Sequence, residues 1–226
     1  YQYVLTYISS LRERLAPNLN SIINDNLLPN LTNAIKENHK IDLFPYVDLK
    51  GKTPNEGIVS FNDLPRYAMG YGSLFHSISF TVETHMLKPF PIRVEATLAF
   101  MEELINWTSL NKSSIEKSRD KARRFVIESP YLKYNNINSY KKDTILFKGY
   151  EHSFPIHKIT GLSRLMYDTN KPYTKYVPFY NSSVANDSVQ LPKFYYITAQ
   201  EKDVVERLLA NKVKMTKMLR DTLMNL

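Results

Sequence analysis

The run Leu74-Phe75-His76-Ser77-Ile78-Ser79-Phe80-Thr81-Val82 closes on a carboxylate, Glu83, and is followed by Pro89 and Pro91. It is apolar enough for a central strand ending at Glu83. Beyond the prolines, Ile92, Val94, Ala96, Leu98, Ala99, Met101, Leu104, Ile105 and Trp107 recur as they would on one long amphipathic helix. The same order appears upstream. Tyr3-Val4-Leu5-Thr6-Tyr7-Ile8 reads as a buried strand, and Pro17-Asn18-Leu19-Asn20 opens a helix carrying Ile22, Ile23, Leu27, Leu28, Leu31 and Ile35, which Pro29 is expected to kink. Strands feeding helices in this order are α/β logic: helices cover a largely buried sheet.

Phe44 to Val47 and Ile58 to Phe61 are expected as short strands about the turn-rich Gly51 to Gly57. Ser113 to Val126 reads as a further helix, with a capping box at Ser113 and Glu116. From about residue 130 tyrosines multiply and helical periodicity fades. Thr144 to Phe147 and Phe194 to Thr198 become strand candidates between Pro, Asn and Ser clusters, and Glu201 to Asn211 reads as a helix before a strand at Val213-Lys214-Met215. The expected organisation is a mixed sheet flanked by helices over 1–112, a helical connector over 113–130 and a smaller β-rich domain over 131–226.

With 43% hydrophobic residues the 226-residue chain has ample material for a core. No apolar run approaches the roughly 18 residues of a membrane span. The formal charge of +8 invites a nucleic-acid reading. However, its densest stretch, Lys117, Arg119, Lys121, Arg123 and Arg124, is interleaved with Glu116 and Asp120, and reads as a solvated helix face rather than a nucleic-acid site. The absence of cysteine excludes disulfides and thiolate metal sites, and only six glycines argue against phosphate-cradling loops. The chain opens on Tyr1-Gln2-Tyr3 and stops at Asn225-Leu226 with regular structure still running, so it is expected to be a piece of a longer protein.

A carboxylate closing an apolar strand is costly to bury. From the residues alone, Glu83 is either a positioned general base or a strand-end carboxylate satisfied by Arg93 or Lys88. The text from Arg66-Tyr67 through Gly70-Tyr71-Gly72 to Phe80-Thr81-Val82-Glu83-Thr84-His85 resembles the C-terminal half of the zinc carboxypeptidases, the carboxypeptidase A-like metallopeptidases. The resemblance covers about residues 1 to 110. It implies a carboxypeptidase-like mixed sheet and hydrolysis of the C-terminal peptide bond of a peptide substrate. Glu83 would be the base, Arg66 with Tyr67 and Tyr71 would bind substrate, and the location would be exported. It also implies zinc in the intact protein. The His-x-x-Glu pair and later histidine that hold zinc in that family are absent from this chain, so the ligands are expected outside this stretch.

Two alternatives accompany this reading. One is a carboxypeptidase-like domain without catalysis that binds peptide or glycan. The other treats the tyrosines after residue 130 as a carbohydrate-stacking platform. His85 reads as a satisfied histidine at a strand exit or as a partner orienting Glu83, and His76 as structural. Glu151-His152 and His157 lack a standard metal spacing.

Overall fold

A computed structural model describes residues 1–10 and 12–220. Leu5–Ser9 forms β1, which pairs in parallel with β2 (Leu43–Pro45) and antiparallel with β5 (Phe80–Thr84). The strand order β2-β1-β5 makes this a mixed sheet with β1 in the middle. Side chains alternate across a strand. Leu5 and Tyr7 therefore share one face with Leu43, Phe80 and Val82, and these pack against Leu27, Leu31, Ile35, Ala96 and Phe100 of the covering helices. Thr6 and its cross-strand neighbour Glu83 belong to the other face.

The first helical stretch changes type twice. Pro17–Ser21 is α1, Ile22–Leu27 is a π-helical turn, and Leu28–His39 is α2. Pro29, at the start of α2, has no N–H for the carbonyl four residues back, and its ring crowds that carbonyl. The wide turn, with the Leu28 N–H bonded to the Ile23 carbonyl, absorbs the conflict without ending the helix. Lys40, at φ 59°, closes α2 in the left-handed conformation.

Several expectations are corrected. Residues 74–82 do not form one strand. Ala68–Leu74 is helix α3, and it ends in a Schellman motif: His76 stands at φ 55°, its N–H meets the Ser73 carbonyl, and the Ser77 N–H meets the Gly72 carbonyl. Only Phe80–Thr84 is strand. The two helices expected over 92–107 and 113–126 are one, α4 (Phe90–Glu128). Neither Pro nor Gly interrupts it, so the Ser113 and Glu116 pair lies mid-helix, where backbone bonding leaves no donor to cap. Residues 194–198 and 213–215, expected as strands, have irregular backbone.

A second sheet, ordered β3-β4-β8-β7, joins the hairpin β3 (Val47–Leu49) and β4 (Ile58–Ser60) to the long hairpin β7 (Asp143–Ser153) and β8 (Met166–Tyr180). β6 (Tyr131–Asn138) pairs with β9 (Ser183–Gln190). The turn between β3 and β4 is held by a capping box, in which Glu56 Oε1 accepts from the Lys52 and Thr53 N–H groups. Tyr3 ties the two sheets together. Its ring stacks on Phe44 at 4.2 Å and meets Phe147 edge-on, while its hydroxyl donates to the Leu146 carbonyl at 3.2 Å and accepts from the Lys148 N–H at 3.0 Å.

The chain divides into two compact units, Tyr1–Val189 and Gln190–Leu226. In the second, Lys202–Ala210 forms the amphipathic helix α5, near the expected 201–211. The fold class is mixed α/β with mixed sheets. Among the described residues no helix is long and apolar enough to cross a membrane.

Leu31 lies fully inside the helix-covered core. Leu31→Ala should cost about 2–5 kcal/mol in urea unfolding, from lost transfer energy plus the cavity left behind. Burial pushes the Tyr3 hydroxyl up to about 12, against the Lys148 N–H bond, which favours ionisation, and with Asp42 adding to the rise. An unfolded tyrosine ionises near about 10. The unfolded state therefore loses its proton first, and stability that is complete below about pH 10 should fall between about pH 10 and 12. Tyr3→Phe should shrink that alkaline loss. At neutral pH it should cost about 1–2 kcal/mol, because the Lys148 N–H and Leu146 carbonyl lose their partner.

Candidate functional site

Glu83 occupies the next-to-last position of β5, opposite Thr6, whose hydroxyl donates to the Glu83 carbonyl at 3.3 Å. Its side chain is exposed on the sheet face that the helices do not cover. Neither cation expected to satisfy it does so. Arg93 Nε donates instead to Thr84 Oγ1 at 3.1 Å, and among the described residues no Lys, Arg or His pairs with the Glu83 carboxylate.

Two phenols feel the charge of this carboxylate. Parallel pairing of β1 with β2 carries the chain on to Tyr46, whose N–H meets the Tyr7 carbonyl at 2.8 Å. The Tyr46 hydroxyl is held above its ordinary pKa by burial, and then by the negative charges of Glu83 and Asp48. Tyr1 is raised by burial first, with Tyr46 and Glu83 adding to the shift. Both phenols therefore keep their protons through the neutral range.

His85 lies against Tyr1. Its ring meets Tyr1 edge-on at 5.0 Å, and its Nδ1 accepts from the Leu87 N–H at 3.2 Å. Burial is the largest cause depressing the imidazole pKa, joined by the Tyr1 amine and Lys88. With Nδ1 accepting, the neutral ring carries its proton on Nε2. His85 is thus satisfied at the strand exit.

The remaining expected residues form a separate group. Arg66 Nη2 donates to the Tyr67 hydroxyl at 2.8 Å and the guanidinium lies over the Tyr67 ring. Tyr67 meets Phe61 edge-on at 5.0 Å, and Tyr71, on α3, meets Phe75 at 5.1 Å. Phe61 follows β4, where Ser60 pairs with Val47, the residue after Tyr46. Strand pairing thus sets Phe61 near the segment that carries Tyr46, while Arg66, Tyr67 and Tyr71 stay a group apart from Glu83.

Tyr46 was not singled out by the sequence. Its signal was weak: an aromatic after a Pro at the end of a short strand, which gains meaning only from the parallel register with β1. Elsewhere, His152 packs on the rings of Phe154 and Tyr167, and His157 Nδ1 accepts from the Thr160 N–H. His76 shapes the α3 terminus. Among the described residues no three His, Cys, Asp or Glu side chains converge on a metal-sized site.

Comparison with protein-family models, curated proteins and solved structures finds no match for this chain.

Glu83→Gln removes the charge next to Tyr46 and Tyr1. Both phenols should then ionise at lower pH, read by ultraviolet difference titration with Tyr46→Phe assigning the Tyr46 step. An unchanged titration would place Glu83 away from both rings.

Proposed function

We infer that this chain is the general-base-bearing part of a zinc-dependent metallocarboxypeptidase that hydrolyses the C-terminal peptide bond of peptides. The observation that carries the reading is Glu83. It is an exposed carboxylate near the end of an antiparallel strand in a mixed sheet, free of a cation partner among the described residues, and its charge helps to hold the Tyr46 and Tyr1 phenols protonated. A carboxylate held this way is an acceptor without a competitor for a proton. In this reading it takes a proton from the water that attacks the scissile carbonyl and returns it to the leaving amine. Tyr46 and Tyr1 supply hydrogen-bond donors at the same place. Arg66, whose fork is oriented by Tyr67, suits a peptide carboxylate, and this reading assigns Tyr71 to substrate binding as well.

The described residues do not by themselves fit zinc, since no three ligating side chains converge among them. The reading assigns the zinc ligands to residues outside this stretch, and an exported location to the intact protein. It also accounts for two open surfaces. The β5 edge has β1 as its sole strand partner among the described residues, and Phe90, Val94, Leu98, Met101 and Ile105 form an exposed apolar stripe along α4. The remainder of a larger α/β domain would cover both.

The test is C-terminal trimming of a peptide by the natural-length protein, with zinc content measured on the parent and on Glu83→Gln. Equal zinc in both with trimming lost in the variant is the expected outcome, and it separates a base from a ligand. Trimming that survives in Glu83→Gln removes Glu83 from the chemistry. Absence of zinc and trimming from the parent overturns the peptidase reading in favour of a binding domain.

A further inference from the structure

A cleft of about 360 Å³ opens where the parallel strands β1 and β2 end, between α2 on one side and the ends of β4 and β8 on the other. The carboxyl ends of parallel strands are where open α/β sheets take ligands, and this volume lies at the small end of ligand sites. Its polar lining includes Ser10, Asn33, Ser60 and Asn181, and its apolar lining includes Tyr46 and Phe61. Among the described residues no charged side chain lines it, in a chain with a formal charge of +8. Among the described side chains a phosphate or carboxylate ligand would find no counter-charge there.

Ser10 adds an independent observation. It is 2% exposed, and among the described residues its hydroxyl has no hydrogen-bond partner. An unmade hydrogen bond at a buried hydroxyl destabilises the fold, and such groups are few in folded proteins. One that lines a cleft has an evident use if a ligand completes the bond.

We propose that this cleft binds an uncharged saccharide of one or two rings. Amides and hydroxyls both donate and accept, as sugar hydroxyls do, while the Tyr46 and Phe61 rings offer apolar surface to the C–H face of a pyranose. Ser10 supplies a hydroxyl that is closed from solvent in the free protein and would turn about its Cα–Cβ bond to complete its hydrogen bond with the ligand. The proposal does not depend on the peptidase reading, because Glu83 and the cleft are separate, and Tyr46 is the residue they share.

The experiment is saturation-transfer NMR followed by calorimetric titration of the chain. The probes are glucose, N-acetylglucosamine, cellobiose and chitobiose, with glucuronic acid as the charged counterpart. At least one neutral sugar should bind, and glucuronic acid more weakly. Ser10→Ala should weaken binding by about tenfold while raising the thermal midpoint, because it removes an unmade bond from the free protein and a made one from the complex. A purely structural serine would not show that opposition. Asn33→Leu, at an exposed position on α2, provides a second variant that leaves the core untouched and should weaken binding in the same way. Binding by none of the sugars, equal or tighter binding of glucuronic acid, or affinity unchanged in both variants would overturn the proposal.

Discussion

Everything in the first compact unit hangs on residues 2 to 10. β1 is bonded on both edges, to β2 and β5, and its inward side chains fill the core beneath α2 and α4. Immediately before it, Gln2 donates to the Gly149 and Tyr173 carbonyls, and Tyr3 stacks on Phe44 while bonding to β7. Immediately after it, Ser10 lines the cleft. One short segment thus fixes the position of both sheets, the helical layer and the two candidate sites. The cause is the double role of a central strand, whose backbone must be satisfied on two sides and whose side chains must be buried on two faces.

Much of this was legible in the sequence, and the failures have identifiable causes. β1, the helical run over Ile22 to Ile35, the Gly51 to Gly57 turn and the strand around Thr144 to Phe147 follow from periodicity and turn chemistry, which are local. The end of α3 was missed because its left-handed residue is His76 rather than glycine, so nothing marked residues 75–77 as a stop. The single helix α4 was read as two because Ser113 and Glu116 carry a cap signature. In the fold, Ala122 packs on Leu15, Ala16, Leu19 and Ile23, and that contact rewards continuing the helix. Pairing of β4 with β8 joins residues far apart in the chain, and no local signal encodes such a partner. Within the site, Glu83 was visible as a carboxylate out of place. Tyr46 was not, since its closeness to Glu83 arises across two strand pairings.

The basic character of the chain, by contrast, carries little functional information. Arg14 is ion-paired to the fully buried Asp63 at 3.3 Å and also donates to the Asp63 carbonyl. Lys148 pairs with Asp42 beside the Tyr3 hydroxyl. In the basic stretch of α4, Arg119 donates to the His76 carbonyl and Arg123 pairs with Asp120. These cations hold the helix ends and sheets together. A site for an anion would need them converging on open space. The two candidate sites instead present a carboxylate without a cation partner at Glu83 and, among the described residues, a cleft without charged lining at Ser10. Ligand choice is set by that local chemistry, because charges separated by more than a Debye length, about 8–10 Å, act only weakly through salt water. A net charge of +8 can steer encounters, but it does not by itself select what binds at either place.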